Sequence, residues 1–254
     1  MNTRDEEASV ESHYFDQVIS ETGDFDPFAK QGWATLGRCF TEMIRLSAPS
    51  GRILDVGCGT GQSRQIYQRH ARVYVGLDLS RQALKVAGGR FSETPWVRAN
   101  ACQLPFEDES FDIVAFSSVL HHIGNYQSAL CEAKRVLKSR GQVFAFDPNL
   151  LHPAMALFRH PRSPLYQTAG VSPNERPLLP SALRQAVVGA GFIGLRQHCQ
   201  SNIAYRKVAP RLLNALLGAY NVADRLWEHF GLGRWFGAFI VTAADKPDPE
   251  NRLA

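Results

Sequence analysis

Ile53-Leu54-Asp55-Val56-Gly57-Cys58-Gly59-Thr60-Gly61-Gln62-Ser63 is an apolar run that takes in one acid and then breaks into three glycines at alternate positions. It reads as strand, tight turn and helix start. Ile53, Leu54 and Val56 suit a strand buried in a parallel sheet, and the glycines let backbone amides approach a ligand at a helix N-terminus without a Cβ in the way. The turn is shaped for a small polar molecule. A Walker-type phosphate loop ends in Gly-Lys followed by Ser or Thr, whereas Gln62 follows Gly61, so that reading is excluded. The dinucleotide fingerprint G-x-G-x-x-G starts at Gly57 and Gly59 but needs a third glycine where Gln62 stands. A nicotinamide-dependent oxidoreductase is thereby weakened but left open.

Downstream, the chain alternates strand and helix patterns, as in a parallel sheet with helices on both faces. Residues 72–78 form a second apolar run closing in Asp78, 21 residues after Gly57. In a βαβ unit this places a carboxylate at the C-terminal edge of the neighbouring strand, where it can accept from both hydroxyls of a ribose. The competing role is a helix N-cap, open to Ser80 or Asp78, for a helix over 81–87. A strand over 111–118 runs into His121-His122, at the sheet edge where ligands of open α/β sheets sit. A helix over 126–138 and a strand over 142–149 follow.

The acid followed by G-x-G-x-G resembles motif I of the class I S-adenosylmethionine-dependent methyltransferases, in the type 11 methyltransferase-domain family. Asn100-Ala101-Cys102-Gln103-Leu104-Pro105-Phe106, the acidic loop to Phe111-Asp112, and Ala133 to Lys138 before a glycine and a strand are similar to further segments of that family, in the same order. Asn100 departs from the pattern, which has an aspartate there.

The resemblance implies an α/β fold: a Rossmann-like, seven-stranded, mostly parallel sheet with helices on both faces and an antiparallel last strand. It implies S-adenosylmethionine as cofactor, with Asp55 on the methionine amino group, directly or through water. The backbone of Gly57, Cys58, Gly59 and Gly61 would serve the methionine and ribose side, with Asp78 on the ribose. Leu79 would cover one adenine face, Asn100 and Ala101 its edge, and Ser117 and Ser118 the methionine end. His121 and His122 are the catalytic candidates: an oxygen or nitrogen acceptor must lose a proton, and histidine titrates near pH ~6.5. Either histidine could instead only hold the cofactor or the turn. No metal is expected.

Residues 1–48 read as an N-terminal helical cap, with aromatics Tyr14, Phe15, Phe25, Phe28 and Trp33 expected to pack as core rather than line a pocket. Residues 49–254 read as the methyltransferase domain. The proline-rich stretch at about 150–180 and the segment at about 200–234 would be lid or substrate-cover insertions. Within the second, residues 211–230 form an amphipathic helix expected to pack on the sheet rather than touch a membrane.

The net charge of +4 hides an asymmetry: residues 1–50 hold 4 Lys/Arg against 9 Asp/Glu, and residues 151–254 hold 12 against 6. The basic residues are dispersed without interleaved aromatics, which argues against a nucleic-acid partner. No apolar run reaches the roughly 20 residues of a membrane span, and Met1 to Glu7 is too acidic for a signal peptide. The cytoplasm is the default location, with peripheral membrane contact an open option. Five scattered cysteines give no C-x-x-C pair and fit reduced thiols. The expected function is methyl transfer to an O, N or C atom of a small-molecule or lipid- or sugar-linked acceptor. A non-catalytic S-adenosylmethionine-binding partner subunit is the non-enzyme alternative.

Overall fold

Four strands of this chain carry consecutive apolar residues through their central stretch, because both of their faces are covered there. Ile113 and Ala115 of β4 (Phe111–Ser117) face one layer and Val114 and Phe116 the other. In β5 (Leu137–Pro148), Phe144 and Phe146 share the first layer while Val143 and Ala145 share the second. β1 (Gly51–Val56) and β7 (Phe239–Asp245) repeat the pattern. Alternation with period two sends successive side chains to opposite faces, so a strand segment between two cores is apolar at consecutive positions.

The computed structural model describes residues 3–45, 51–166, 171–206 and 215–248. With β2 (Ala71–Asp78), β3 (Trp96–Arg98) and β6 (Ile193–Gln200), the strands make one seven-stranded sheet in the order β3-β2-β1-β4-β5-β7-β6. Neighbours from β3 to β5 are parallel, and β7 runs antiparallel to both β5 and β6. This is the Rossmann-like arrangement expected, with its antiparallel last strand.

On one face, α5 (Tyr126–Val136) and α7 (Pro180–Gly189) bury Ala129, Leu130, Ala133, Leu183 and Val187. On the other, α2 (Lys30–Met43) and α3 (Arg64–Tyr67) bury Leu36, Phe40, Ile66 and Tyr67. Each leucine, isoleucine, valine or phenylalanine among them contributes about 1.5–3 kcal/mol on full burial, and each alanine less. α4 (Arg81–Arg90) follows β2, and its N-cap is Ser80, whose Oγ accepts from Ala83 N at 3.0 Å. Ser80 rather than Asp78 therefore caps this helix, which leaves the Asp78 carboxylate for the ligand edge.

The first helix, α1 (Thr3–Thr22), is 20 residues long and lies over the C-terminal edge of the sheet. The acids of its strongly negative sequence fasten it there. Asp16 Oδ1 accepts from Ser80 Oγ at 2.6 Å and from Gln82 N at 2.9 Å, at the positive end of α4. Asp24, just past the helix, pairs with Arg90 at 3.0 Å and accepts from Thr60 Oγ1 at 2.7 Å.

After β5 come α6 (Pro153–Arg159) and, beyond β6, α8 (Leu217–His229) and α9 (Gly233–Phe236). The part of the expected 211–230 helix before residue 215 lies outside the described residues. Where α8 is described, it does not pack its leucines on the sheet. Asp224 is its one buried residue, and Val222, Leu226 and Phe230 stand exposed. The helix is instead held through its polar edge: Asp224 Oδ2 accepts from Ile203 N at 3.2 Å, and Asn221 exchanges two 3.2 Å bonds with the Tyr205 backbone.

Candidate active site

β1 lies between β2 and β4, so the chain's connections diverge on either side of its C-terminal end, the position at which open α/β sheets leave a crevice. There the glycine turn begins. Gly57 N and Cys58 N both donate to Leu77 O, at 2.8 and 3.1 Å, tying the turn to β2. Gly57 has φ +74°, and a Cβ on it would overlap the Val119 side chain. A left-handed non-glycine costs ~1–2 kcal/mol and overpacking ~1–3. Gly57→Ala is therefore expected to lower unfolding stability by about 2–4 kcal/mol in a denaturant titration, and an unchanged midpoint would contradict that assignment. Gly59, at φ +52°, has nothing within 4 Å of where a Cβ would stand. Its side of the turn is an open cradle, into which a ligand can approach the backbone.

The cradle opens into a cavity of about 1070 Å³. Of the residues singled out from sequence, Gly57, Cys58, Gly59, Asp78, Leu79, Asn100, Ala101, Ser117, Ser118, His121 and His122 line it. Two do not. Gly61 faces away, where a Cβ would come within 3.1–3.2 Å of Trp96 and Phe91, so its smallness serves packing and its φ of +85° the turn.

Asp55 is fully buried beneath the turn, accepting from Ser63 Oγ at 2.5 Å, Tyr74 OH at 2.6 Å and Ser117 Oγ at 2.5 Å. Burial raises its pKa to about 6, against the lowering effect of those three hydroxyls. Asp55 thus supports the turn from beneath, with Ser63 and Ser117, which line the cavity, standing between its carboxylate and that space.

Asp78 sits at the cavity edge with Oδ2 accepting from Gly59 N and Oδ1 from Ser80 N, both at 2.8 Å. Each carboxylate oxygen has a second lone pair. Asn100 Oδ1 accepts from Cys102 N at 2.9 Å, closing a local turn, so the amide nitrogen is the group it presents as a donor. Cys58 is buried, and burial followed by the charges of Asp78 and Asp55 pushes its thiol pKa well up, which removes it as a nucleophile.

The histidines have different surroundings. His121 is buried, and its Nδ1 lies 2.8 Å from Asp147 Oδ1, which also accepts from the His121 backbone N at 3.1 Å. Burial, then the neighbouring His122 and Arg159, holds the His121 pKa well below 6.5. Burial raises the Asp147 pKa, opposed by the backbone amides of His121 and Leu120. The His121 backbone N–H already donates to Oδ1, and a ring that donates Nδ1–H to the same oxygen keeps the lone pair of Nε2 as its basic site. His122 Nδ1 lies 2.7 Å from Glu11 Oε1 and 2.8 Å from Ser172 Oγ, and Ser172 Oγ itself donates to Glu11. Ser118, at φ +55°, bends the chain from β4 into this turn; strained backbone of this kind concentrates at functional sites.

The five N-terminal aromatics expected to be core all line the cavity, although Phe28 and Trp33 are also buried in the core beside α2. Glu11 and Ser172 carry no sequence signal that links them to this site, whereas Arg159 belongs to the proline-rich stretch expected to cover it. Asp147 had a legible signal, an acid closing an apolar strand as Asp78 does.

With this geometry, the comparisons with known proteins are specific. Residues 54–145 match the family model described as Methyltransferase domain. Together with the sheet order and the glycine turn, this defines a class I S-adenosylmethionine-dependent methyltransferase domain within the chain. The chain is 35% identical over 136 residues to the demethylmenaquinone methyltransferase of Tropheryma whipplei (strain Twist), covering 51% of this chain and 52% of that protein. It is 37% identical over 100 residues to phthiotriol/phenolphthiotriol dimycocerosates methyltransferase 1 of Mycobacterium ulcerans, covering 38% and 37%. The chain thus spans about half the length, or less, of these curated relatives. Among solved structures it is similar in fold to Haemonchus contortus phosphoethanolamine N-methyltransferase 2 in complex with S-adenosyl-L-methionine, with a TM-score of 0.61 at 18% identity, covering 86% of this chain and 52% of that one.

Proposed function

We propose that this chain transfers a methyl group from S-adenosylmethionine to a nucleophilic oxygen or carbon of an apolar, quinone- or lipid-type acceptor, with His121 as the base. The cavity carries this reading. At about 1070 Å³ it exceeds the roughly 300–1,000 Å³ that suits one drug-sized ligand. Away from the glycine turn its walls include Phe15, Phe25, Phe28, Phe158, Leu217 and Tyr220. It has room for a cofactor and, beside it, apolar surface for a second molecule. The names of the two relatives, one a demethylmenaquinone and one a dimycocerosates methyltransferase, support the same acceptor class.

In this proposal Asp78 holds the ribose, the backbone of Gly57, Cys58 and Gly59 the methionine and ribose side, and Leu79, Asn100 and Ala101 the adenine. Bound S-adenosylmethionine supplies a methyl group already activated by its sulfonium charge. The protein's own task is alignment and exclusion of water, performed by the cover that α1, α6 and α8 form over the cavity. Positioning of this kind contributes about 7–11 kcal/mol in well-oriented systems. Nε2 of His121 takes the proton of the acceptor hydroxyl, while Nδ1–H stays on Asp147 and fixes the ring. His122 fastens α1 through Glu11.

The test is to incubate the protein with methyl-labelled S-adenosylmethionine and a lipid extract, then separate the phases. Label is expected on an organic-soluble aromatic or lipid product identified by mass spectrometry. Label confined to aqueous products would overturn the acceptor class.

A further inference from the structure

α8 turns its apolar side away from the protein. Val222, Leu226 and Phe230, four residues apart on one helical face, are 52%, 49% and 69% exposed. The adjoining α9 adds Trp235, 61% exposed, and Phe236, and the two helices pack together through Trp227 and Phe236 at 5.9 Å. α6 lies alongside, its His152 ring 5.6 and 5.9 Å from those of Tyr220 and Trp227, and it exposes Leu157. The opposite sides of α6 and α8 line the cavity with Met155, Phe158, Leu217 and Tyr220. α6 and α8 thus turn apolar residues to solvent as well as to the cavity, and soluble proteins rarely leave an apolar face this extended without a partner.

Charge selects the partner. Arg225 of α8 and Arg234 of α9 border the apolar face, with Arg234 5.6 Å above the Trp235 ring, and both are exposed. The acid on the same stretch, Glu228, has its carboxylate beside Gly233 at the start of α9. An apolar strip with an exposed tryptophan, edged by arginines, matches an interfacial helix lying in anionic headgroups. We propose that α8 and α9, with the exposed edge of α6, dock this protein on the surface of a lipid bilayer carrying anionic headgroups. The docking face is separate from the cavity lining, so it stands or falls independently of the methyl-transfer reading. If both hold, an apolar acceptor enters the cavity from the bilayer between α6 and α8.

The test is flotation of the full chain, without cofactor or acceptor, on vesicles of phosphatidylcholine with and without phosphatidylglycerol. The wild type is expected to float with the phosphatidylglycerol vesicles and to be released by salt. Leu226→Glu/Phe230→Glu/Trp235→Glu should abolish flotation, and Arg225→Gln and Arg234→Gln should each weaken it about fivefold. Circular dichroism and thermal unfolding check that the variants fold; if the triple variant does not, the two arginine variants decide. A wild type that floats with neither vesicle, or variants that float as it does, would overturn the proposal. So would light scattering that gives a wild-type dimer dissociated by the triple substitution, because a second copy would then cover this face.

Discussion

His121→Gln is expected to lower kcat by about 10²–10⁴, the usual contribution of a positioned base, while leaving affinity for S-adenosylhomocysteine within a few-fold of wild type. The substituted side chain keeps a polar group near Asp147 but has no nitrogen that titrates. Asp147→Asn should reproduce part of the loss, because an amide can donate to Nδ1 and favour the wrong tautomer. The pH profile separates a base from a packing residue. With its pKa held well below 6.5, His121 is neutral across physiological pH, so wild-type kcat should be flat there and fall only in acid. Stability follows with the same sign. Below about pH 6.5 the unfolded chain binds a proton that the buried imidazole resists, so stability is lost as pH falls through the window beneath 6.5. Melting temperatures at pH 7 and pH 5 should differ more for wild type than for His121→Gln. Normal turnover by His121→Gln at every pH would remove the base and leave catalysis to proximity.

The parts of this site legible in sequence are those built by local backbone. Glycines at 57 and 59 declare a left-handed turn whatever surrounds them, and an acid that closes an apolar run, as Asp78 does, stands at a strand's C-terminal end. The parts that were not legible depend on what comes from elsewhere. Asp55 is preceded and followed by core residues, and the three hydroxyls that hold it, on Ser63, Tyr74 and Ser117, arrive from three other elements with no local pattern to announce them. Glu11 reaches His122 from the far end of the chain, with no sequence pattern linking them. The helix around residue 220 shows the limit of periodicity itself. Its pattern correctly gives an apolar face, but periodicity does not say what covers it, and here Asp224 and Asn221 take the protein side through hydrogen bonds to the segment after β6. The N-terminal aromatics fail in the same way, since their spacing gives a helix face but cannot distinguish a core from a cavity wall.

Asp78→Ala is expected to weaken binding of S-adenosylhomocysteine about a hundredfold or more. The carboxylate offers two remaining lone-pair positions to a ribose diol, and charge-assisted hydrogen bonds contribute about 1.5–3 kcal/mol each. Part of the effect is indirect. Gly59 N and Ser80 N both lose their acceptor, so the open side of the glycine turn loosens at the point that faces the ligand. Asp78→Asn distinguishes the two contributions. It retains one carbonyl oxygen but sets an amide donor against either Gly59 N–H or Ser80 N–H, so it should bind poorly despite its near-identical shape. Burial raises the Asp78 pKa, with the Ser80 and Gly59 amides opposing. Ligand affinity should therefore fall on acidification in wild type, as protonation removes an acceptor, and should respond less to pH in Asp78→Asn. Isothermal titration at several pH values reads both effects, with thermal unfolding as the check on folding. A folded Asp78→Ala protein that binds S-adenosylhomocysteine as tightly as wild type would move the ribose to another part of the cavity and remove the strongest link between the glycine turn and its ligand.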